Sequence, residues 1–165
     1  MSQAVLQAIQ EKFGEAVVRT HAWRGDETLV VRADALVEIC RFLKADPEMA
    51  FNMPIDVCGV DYLGRKIPRF EVVYHFLSLS KKHRIRLKVE VTEEHAEVPS
   101  VIGIWRGVDW FEREVWDMYG IKFAGHPNLK RILLYEEFEG HPLRKDYPQR
   151  GYQPLMSMPT LSSEV

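Results

Sequence analysis

The feature that most constrains the fold is a pair of alternating apolar and polar runs separated by a short polar turn. The runs cover residues 69–79 and 84–92, and the turn between them is Ser80-Lys81-Lys82-His83. Alternation with a period of two predicts β-strands, and two such runs joined by a short turn predict an antiparallel hairpin. The first run is apolar on both faces, which is typical of an interior strand. The second run is charged on one face, which we expect to meet solvent or a charged partner.

The residues before the hairpin predict two helices and three further strands. Helices are expected over residues 2–13, with Ser2 as the cap, and over residues 34–44. Strands are expected over residues 15–23, 28–32 and 51–60. This order of elements predicts an α+β fold, in which one mixed or antiparallel sheet has helices packed on one face.

The chain after Gly120, which we call the C-terminal arm, shows no sustained helical or strand period. Prolines interrupt it repeatedly, yet apolar and aromatic residues recur along it. Long segments without secondary structure are uncommon inside compact domains, so we expect the arm to lie against its own core and, at its far end, against another subunit. Residues 1–100 are therefore expected to form the α+β core, and residues 101–165 to add a helix and the arm to the same structural domain. The prolines are Pro127, Pro142, Pro148, Pro154 and Pro159.

The composition argues against several classes of protein. The 165 residues carry a net charge of -2, so the chain lacks the basic surface typical of nucleic-acid binding. No stretch resembles a membrane span or a targeting peptide, so we expect a soluble chain. Cys40 and Cys58 are the only cysteines, and neither belongs to a CxxC motif. A disulfide scaffold, a zinc finger and an iron–sulfur cluster would therefore lack ligands.

The densest group of charged and aromatic residues is a predicted helix over residues 110–119. Asp109 and Glu112 have the spacing of a capping box at its start, and Gly120 suits the cap at its end. A helix whose sides are all apolar or paired is usually buried. We therefore expect this helix to lie between its own sheet and another surface.

The charged residues of this helix leave two interpretations open. Arg113 and Asp117 stand four residues apart and predict an ion pair, and only Glu114 shares a face with Asp117. A catalytic or metal-binding role is one alternative, although no histidine lies within one helical turn. We favour a structural network in which Arg113 neutralises the carboxylates, so that Arg113→Ala would leave two of them unbalanced.

Two Gly-His-Pro tripeptides occur at residues 125–127 and 140–142. Their histidines could bind a metal, but a catalytic zinc site needs three protein ligands and no third candidate is near in sequence. We favour histidines that hydrogen-bond to backbone in turns fixed by glycine and proline. The following Arg144-Lys145-Asp146 predicts a self-balancing ion pair at a contact between subunits. The basic run over residues 81–88 predicts a solvated strand face.

Two segments carry a family resemblance through their residue types and spacing. The first contains Glu112, Arg113, Glu114, Asp117, Met118, Tyr119, His126, Lys130, Ile132 and Leu133. The second is Gly140, His141, Pro142, Leu143, Arg144, Lys145, Asp146, Tyr147 and Pro148. Together they resemble the signature of the thirty-kilodalton subunit family of respiratory complex I. The likeness is strong over residues 51–150 and looser before them.

The resemblance implies a structural and assembly subunit, without catalytic residues of its own, in the peripheral arm of a proton-translocating NADH:quinone oxidoreductase. It implies that these two segments form a partner interface with the forty-nine-kilodalton-type subunit of the quinone site and with neighbouring iron–sulfur subunits. It also implies no cofactor in this chain, with FMN and iron–sulfur clusters on other subunits, and a location at the cytoplasmic face of the cell membrane. The equivalent subunit of a membrane-bound hydrogenase or of a complex with another electron donor is the alternative. A stand-alone binding module and an independent metalloenzyme are more distant alternatives.

Overall fold

The computed structural model describes the backbone of residues 2–153 and the side chains of residues 5–153. The predicted cap at Ser2, and Pro154 and Pro159 of the arm, lie outside these described parts. The helices are α1 (Ser2–Phe13), α2 (Leu36–Ala45) and α3 (Asp109–Tyr119). The strands are β1 (Val17–Trp23), β2 (Asp26–Val31), β3 (Met53–Asp61), β4 (Phe70–Ser78), β5 (His83–Val91), β6 (Glu97–Pro99) and β7 (Lys122–Ala124). Among the described residues, no helix has both the length and the apolar character needed to cross a bilayer.

Five strands form one mixed sheet in the order β1-β2-β5-β4-β3. β2 and β5 run parallel, and the other neighbours run antiparallel. The predicted hairpin lies at the middle of this sheet, with Phe70 opposite Val91 and Ser78 opposite His83. The α+β fold with a mixed sheet is therefore confirmed.

The hydrophobic core lies between the helices and one face of the sheet. α2 contributes a buried stripe that includes Cys40, so this thiol packs as a small apolar side chain. The core also continues beyond residue 100, because the segment that leads into α3, α3 itself and β7 all contribute to it. These later core residues are Val101, Trp105, Val108, Val115, Ile121 and Phe123.

The opposite face of the sheet carries charges that compensate one another. Glu71 is only 1% exposed, and it accepts hydrogen bonds from Lys66 and, at 2.9 Å, from Lys88. Glu90 pairs with Lys66 and with Arg19. A buried carboxylate needs such partners because leaving it unpaired in a dry environment is costly. The predicted basic run on β5 is therefore only in part a solvated face, since Lys88 neutralises a buried acid on β4.

The sequence pattern does not predict the second sheet, which has two strands. β6 and β7 pair in parallel and place Val98 opposite Phe123. Each strand has three residues, which is too short for a period of two to be recognised. After β7, the described part of the C-terminal arm contains no further helix or strand, as its sequence predicts.

α3 lies directly against β3 because one position of that strand has no side chain. A Cβ atom at Gly59 would stand 2.6 Å from Cδ2 of Tyr119 and 3.1 Å from Cγ. The Tyr119 ring therefore occupies the space above this glycine. The contact fixes the C-terminal end of α3 on the sheet, at the point where the C-terminal arm begins.

We expect Gly59→Ala to lower the free energy of unfolding by about 1–3 kcal/mol, because overpacking forces neighbouring groups to move. The displaced atoms lie at the root of the Tyr119 ring, which cannot swing aside without leaving the sheet. Gly103→Ala is the matched control, since a Cβ there meets nothing within 4 Å. Urea denaturation of the two variants measures the difference. Equal stability of both would contradict direct packing of α3 on Gly59.

Candidate functional site

α3 begins one residue earlier than predicted, at Asp109, and ends at Tyr119. Gly120 follows in the left-handed conformation with φ +75°, which confirms the predicted C-terminal cap. The predicted capping box is wrong. A single 3-10 turn at Arg106–Val108 leads into α3, and Asp109 already has helical dihedral angles, so its side chain is not placed to cap the helix.

Glu112 instead ties the first turn of α3 to the end of β6. Its side chain is 0% exposed. One carboxyl oxygen lies 2.5 Å from Ser100 Oγ, and the other accepts a hydrogen bond from the Val101 backbone N–H at 2.8 Å. Burial raises the pKa of Glu112 to about 7, although the bonds from Ser100 and Val101 oppose this rise.

Asp117 is the point at which the C-terminal arm is bound to α3. Its buried carboxylate accepts a hydrogen bond from Arg131 Nη1 at 2.7 Å. Its other oxygen accepts three backbone N–H bonds, from Ile132, Leu133 and Leu134, at 3.0, 3.0 and 3.1 Å. Burial alone would raise the pKa of Asp117, but Arg131 and the three backbone donors outweigh it and lower that pKa. A negative charge on α3 thus organises residues 131–134.

The ion pair predicted between Arg113 and Asp117 is wrong. The backbone of residues 131–134 covers the Asp117 carboxylate and brings Arg131 to it, while Glu114 is exposed. Arg113 turns to the same segment and donates to the carbonyl oxygens of Lys130 and Arg131, at 3.1 and 2.9 Å. α3 therefore binds this part of the arm through both an acceptor and a donor.

We call the two segments that carry the family resemblance the hallmark segments, and residues 140–148 are the second of them. This second hallmark segment satisfies the carbonyl groups at the C-terminal end of α3. Helices leave their last four carbonyls without intrahelical partners. At α3 the Trp116 carbonyl accepts from the Gly120 N–H at 2.8 Å. The next three accept from the arm: Asp117 from His141 Nδ1 at 2.9 Å, Met118 from the Leu143 N–H at 3.1 Å, and Tyr119 from Arg144 Nε at 2.6 Å. The positive charge of Arg144 also suits the negative end of the helix dipole.

Gly120 is required by close approach as well as by its dihedral angle. A Cβ at this position would lie 2.6 Å from the His141 ring and 2.8 Å from Nη2 of Arg144. The His141 and Arg144 side chains thus lie directly over the glycine that ends the helix. The glycine that ends α3 therefore makes room for the histidine and the arginine of residues 140–148.

The arm is bound to the sheet at a second point, around Arg69. The Arg69 guanidinium is 8% exposed and donates twice to Asp61, at 3.0 and 2.8 Å. It also donates twice to Asp146, at 3.0 and 2.8 Å, and once to Glu93 at 2.6 Å. Asp61 accepts a further bond from the Lys145 N–H at 2.8 Å. The hydrogen bonds from Asp61 and Asp146 raise the pKa of Arg69, so its charge is permanent.

The predicted self-balancing pair within Arg144-Lys145-Asp146 is therefore wrong. Asp146 is bound by Arg69, from the start of β4, rather than by Arg144. Arg144 is committed to the Tyr119 carbonyl and lies within 3.9 Å of Glu93. Charges on the core thus compensate the charges of this segment, which fixes the arm more firmly than an internal pair would.

The two Gly-His-Pro histidines hydrogen-bond to backbone, as the sequence predicts. His141 bonds to the Asp117 carbonyl, and His126 Nδ1 accepts from the Asn128 N–H at 3.1 Å. His126 also lies 3.4 Å from the Asp109 carboxylate. Within residues 2–153, no group of three or more His, Cys, Asp and Glu side chains is arranged to hold a metal ion.

The remaining hallmark residues divide between the core and the surface. Met118 is buried, whereas Leu133 and Leu143 are 62% and 49% exposed. Tyr147 stacks on Phe138 with ring centroids 6.2 Å apart. Lys130, Gly140 and Lys145 are exposed, and Ile132, Pro142 and Pro148 are half-buried.

Sequence reasoning missed four residues that hold this site together. Ser100 belongs to neither segment of the family resemblance, and Arg131 stands between Lys130 and Ile132 of the first segment without being part of its pattern. Asp61 and Arg69 flank the loop between β3 and β4, where no spacing rule links them to Asp146, which is 77 residues from Arg69. Contacts of this range are created by the fold. An arginine beside a strand indicates a buried ion pair only if the strand is already known to lie inside the sheet, and the sequence does not show that for Arg69.

We expect Arg131→Met to destabilise the chain by roughly 3–5 kcal/mol, because it leaves the buried Asp117 carboxylate without its cation. Arg113→Met is the matched control, and it should cost only about 1–2 kcal/mol since its lost bonds end on backbone carbonyls near solvent. Denaturant unfolding of both variants measures which of them loses more stability. The helix spacing alone predicts the larger loss for Arg113→Met. A larger loss for Arg113→Met would argue against Arg131 as the partner of Asp117.

The sequence of the chain matches a known protein family and several of its members. The family model described as respiratory-chain NADH dehydrogenase, 30 Kd subunit, matches residues 29–153. The C 2 subunit of NADH-quinone oxidoreductase from Rhizobium etli is 50% identical over 145 residues, which cover 88% of this chain and 76% of that protein. The C subunit of NADH-quinone oxidoreductase from Roseiflexus sp. (strain RS-1) is 50% identical over 144 residues, which cover 87% of this chain and 82% of that protein.

Solved structures have the same fold. The trypsin-resistant fragment (1–134) of Nqo5 superposes with a TM-score of 0.67 at 31% identity, and the match covers 76% of this chain and 99% of the fragment. A chain of the membrane-bound sulfane sulfur reductase, an archaeal respiratory membrane complex, superposes with a TM-score of 0.76. Its identity is 22%, so that likeness is one of fold alone. With a family match that includes β3–β7, α3 and both Gly-His-Pro turns, the chain belongs to the 30 kDa subunit family of respiratory-chain NADH dehydrogenase, which is respiratory complex I.

Proposed function

We propose that the chain is a structural and assembly subunit in the peripheral arm of a proton-translocating NADH:quinone oxidoreductase. The observation that carries the proposal is the 50% identity to C subunits of NADH-quinone oxidoreductase, over most of both chains. In this proposal the complex catalyses the reaction, and this chain holds other subunits in place. FMN and iron–sulfur clusters belong to those subunits, and this chain holds no cofactor.

The hydrogen bonding of Asp117 and Asp61 supports a structural role for these two acids. The Asp117 and Asp61 carboxylates accept bonds from arginine and from backbone N–H groups on both oxygens. A general base needs a free lone pair and a pKa near the working pH, whereas the pKa of each of these groups is lowered by its donors despite burial. Such carboxylates are suited to holding segments together.

We propose that the outer surface of the C-terminal arm and the exposed side of α3 bind the partner subunits. The arm is bound to the core mainly through polar groups, which leaves several of its large apolar side chains in solvent. Exposed aromatic side chains are enriched at protein interfaces, and exposed apolar groups gain free energy when a partner covers them. The side chains in question are Trp110, 69% exposed, Leu133 and Tyr152, each 62%, and Leu143, 49%.

The partner that we propose is the forty-nine-kilodalton-type subunit of the quinone site, with neighbouring iron–sulfur subunits beside it. The chain would then sit at the cytoplasmic face of the cell membrane through the complex. The equivalent subunit of a membrane-bound hydrogenase, or of a complex with another electron donor, is the second candidate. The likeness to a chain of the sulfane sulfur reductase complex favours that candidate only at the level of fold.

Purification of the tagged full chain from its own membranes in mild detergent tests both the complex and the docking surface. We expect the quinone-site and iron–sulfur subunits to co-purify, together with NADH:quinone reductase activity. Leu133→Asp and Leu143→Asp should lower this recovery roughly tenfold or more, because a charge would be buried in the interface. Val18→Asp is the matched control, since Val18 is 55% exposed on β1, away from the arm.

The outcomes distinguish the two parts of the proposal. Absence of any quinone-site or iron–sulfur subunit from the wild-type preparation would refute membership of such a complex. Hydrogenase subunits in place of NADH-oxidising ones would support the second candidate. Full recovery with both leucine variants, alongside a complex that assembles normally, would refute only the proposed docking surface.

A further inference from the structure

A buried polar cluster lies at the N-terminal turn of α3, away from the groups that bind the C-terminal arm. The His126 ring is 0% exposed, and its Nε2 stands 3.4 Å from Asp109 Oδ1 and 4.0 Å from Glu112 Oε2. Among the described residues, neither His126 Nε2 nor Asp109 Oδ1 completes a hydrogen bond of good geometry. Buried polar atoms are usually bonded, so an imidazole nitrogen between two carboxyl groups calls for an explanation.

The tautomer of His126 follows from its other nitrogen. The Asn128 backbone N–H donates to Nδ1 at 3.1 Å, so Nδ1 must present a lone pair. The proton of the neutral ring therefore resides on Nε2 and is directed towards the two carboxyl groups.

The hydrogen-bond partners of Glu112 can accommodate both its protonated and its ionised form. Its Oε1 accepts from the Val101 N–H, and its Oε2 lies 2.5 Å from the Ser100 hydroxyl. A hydroxyl donates to an ionised carboxylate and accepts from a protonated one by rotating about its C–O bond. Both states of Glu112 are thus accommodated without a change in the backbone. Burial, with the nearby charge of Asp109 as a further cause, raises its pKa to about 7.

Two further titratable groups, on β4 and α2, influence Glu112 electrostatically, and neither of them ionises in this range. The Tyr74 hydroxyl on β4 and the Cys40 thiol on α2 both have raised pKa values, first through burial and then through the charge of Glu112. Asp109 belongs to the same turn of α3, and its side chain is 35% exposed, so the cluster reaches solvent on that side. Glu112 is therefore the buried group whose charge changes.

We propose that Asp109, Glu112 and His126 form a proton-binding site, in which Glu112 exchanges one proton with solvent and His126 Nε2–H bonds to Asp109 or to Glu112 accordingly. The only covalent bond that forms or breaks is the O–H bond of the Glu112 carboxyl, and the proton comes from water at the Asp109 side. When Glu112 is protonated, the Nε2–H bonds to Asp109. When Glu112 is ionised, the Nε2–H moves towards Glu112. His126 stands in the Gly125–Pro127 turn, so the site lies where the C-terminal arm leaves β7.

The proton-binding site predicts the direction in which the stability of the chain changes with pH. The pKa of Glu112 is about 7 in the folded chain, against 4.5 as its ordinary value, so the folded state binds this proton more tightly than the unfolded state does. The stabilisation that protonated Glu112 gives to the folded state is fully present below about pH 4.5 and is lost as the pH rises through about 7. Glu112→Gln should remove this part of the pH dependence of Tm. Glu114→Gln, which alters an exposed carboxyl on the same helix, should retain it.

Infrared spectra of the full chain, recorded between pH 5 and pH 9, detect the proton directly. We expect the band of a protonated carboxyl in the wild type and in Glu114→Gln, with its loss centred near pH 7. The component of this band that disappears near pH 7 should be absent in Glu112→Gln. Asp109→Asn should move the midpoint to lower pH, because it removes a negative charge that opposes ionisation of Glu112.

Long-range ¹H–¹⁵N NMR spectra of His126 complete the test. We expect the spectra to show the ring proton of His126 on Nε2 and a lone pair on Nδ1, which accepts from the Asn128 N–H. A doubly protonated His126 beside an ionised Glu112 would overturn the assignment of the proton. So would a carboxyl band that is absent at pH 5, or unchanged up to pH 9, in the wild type and in Glu114→Gln. This result remains decisive even if Glu112→Gln does not fold, and it does not rest on the proposed function.

Discussion

The C-terminal arm depends on one requirement, which is that the polar groups at the end of α3 must find partners. Three helix carbonyls and the Asp117 carboxylate face the arm at this end, and leaving such groups buried without partners would cost several kcal/mol in total. The arm supplies an imidazole, two arginines and a series of backbone N–H groups to meet that need. A segment without regular secondary structure thus acquires a defined path, because its hydrogen bonds are made to a helix that the sheet already holds.

Sequence patterns predicted the parts of this chain that repeat over short distances. The alternation along β4 and β5, the helical stripe with Cys40 and the glycine that ends α3 are all local, and the structure confirms each of them. Pairings between distant residues could not be predicted in this way. Asp117 had two possible arginines, and the nearer one in sequence, Arg113, was the wrong choice because only the path of the arm brings Arg131 over the carboxylate.

The family resemblance named the residues of two segments without explaining how they interact. It grouped positions in α3 with positions some 20 residues further on, and the structure shows that members of the two segments bond to each other. Met118 and Leu143 illustrate the point, since the Leu143 N–H donates to the Met118 carbonyl at 3.1 Å. The resemblance did not include Asp61 or Arg69, because they lie outside both segments and act through Asp146.

The two buried acids of α3 differ in pKa although neither is exposed, and their donors explain why. Asp117 accepts from one guanidinium and three N–H groups, so its charge is compensated and its pKa is lowered despite burial. Glu112 has one hydroxyl and one N–H, with no cation in hydrogen-bonding contact, and burial therefore dominates. The arm is consequently bound at the C-terminal end of α3 by charges that persist across the physiological pH range. At the N-terminal end of α3, close to the turn that follows β7, the charge of Glu112 depends on whether it carries a proton.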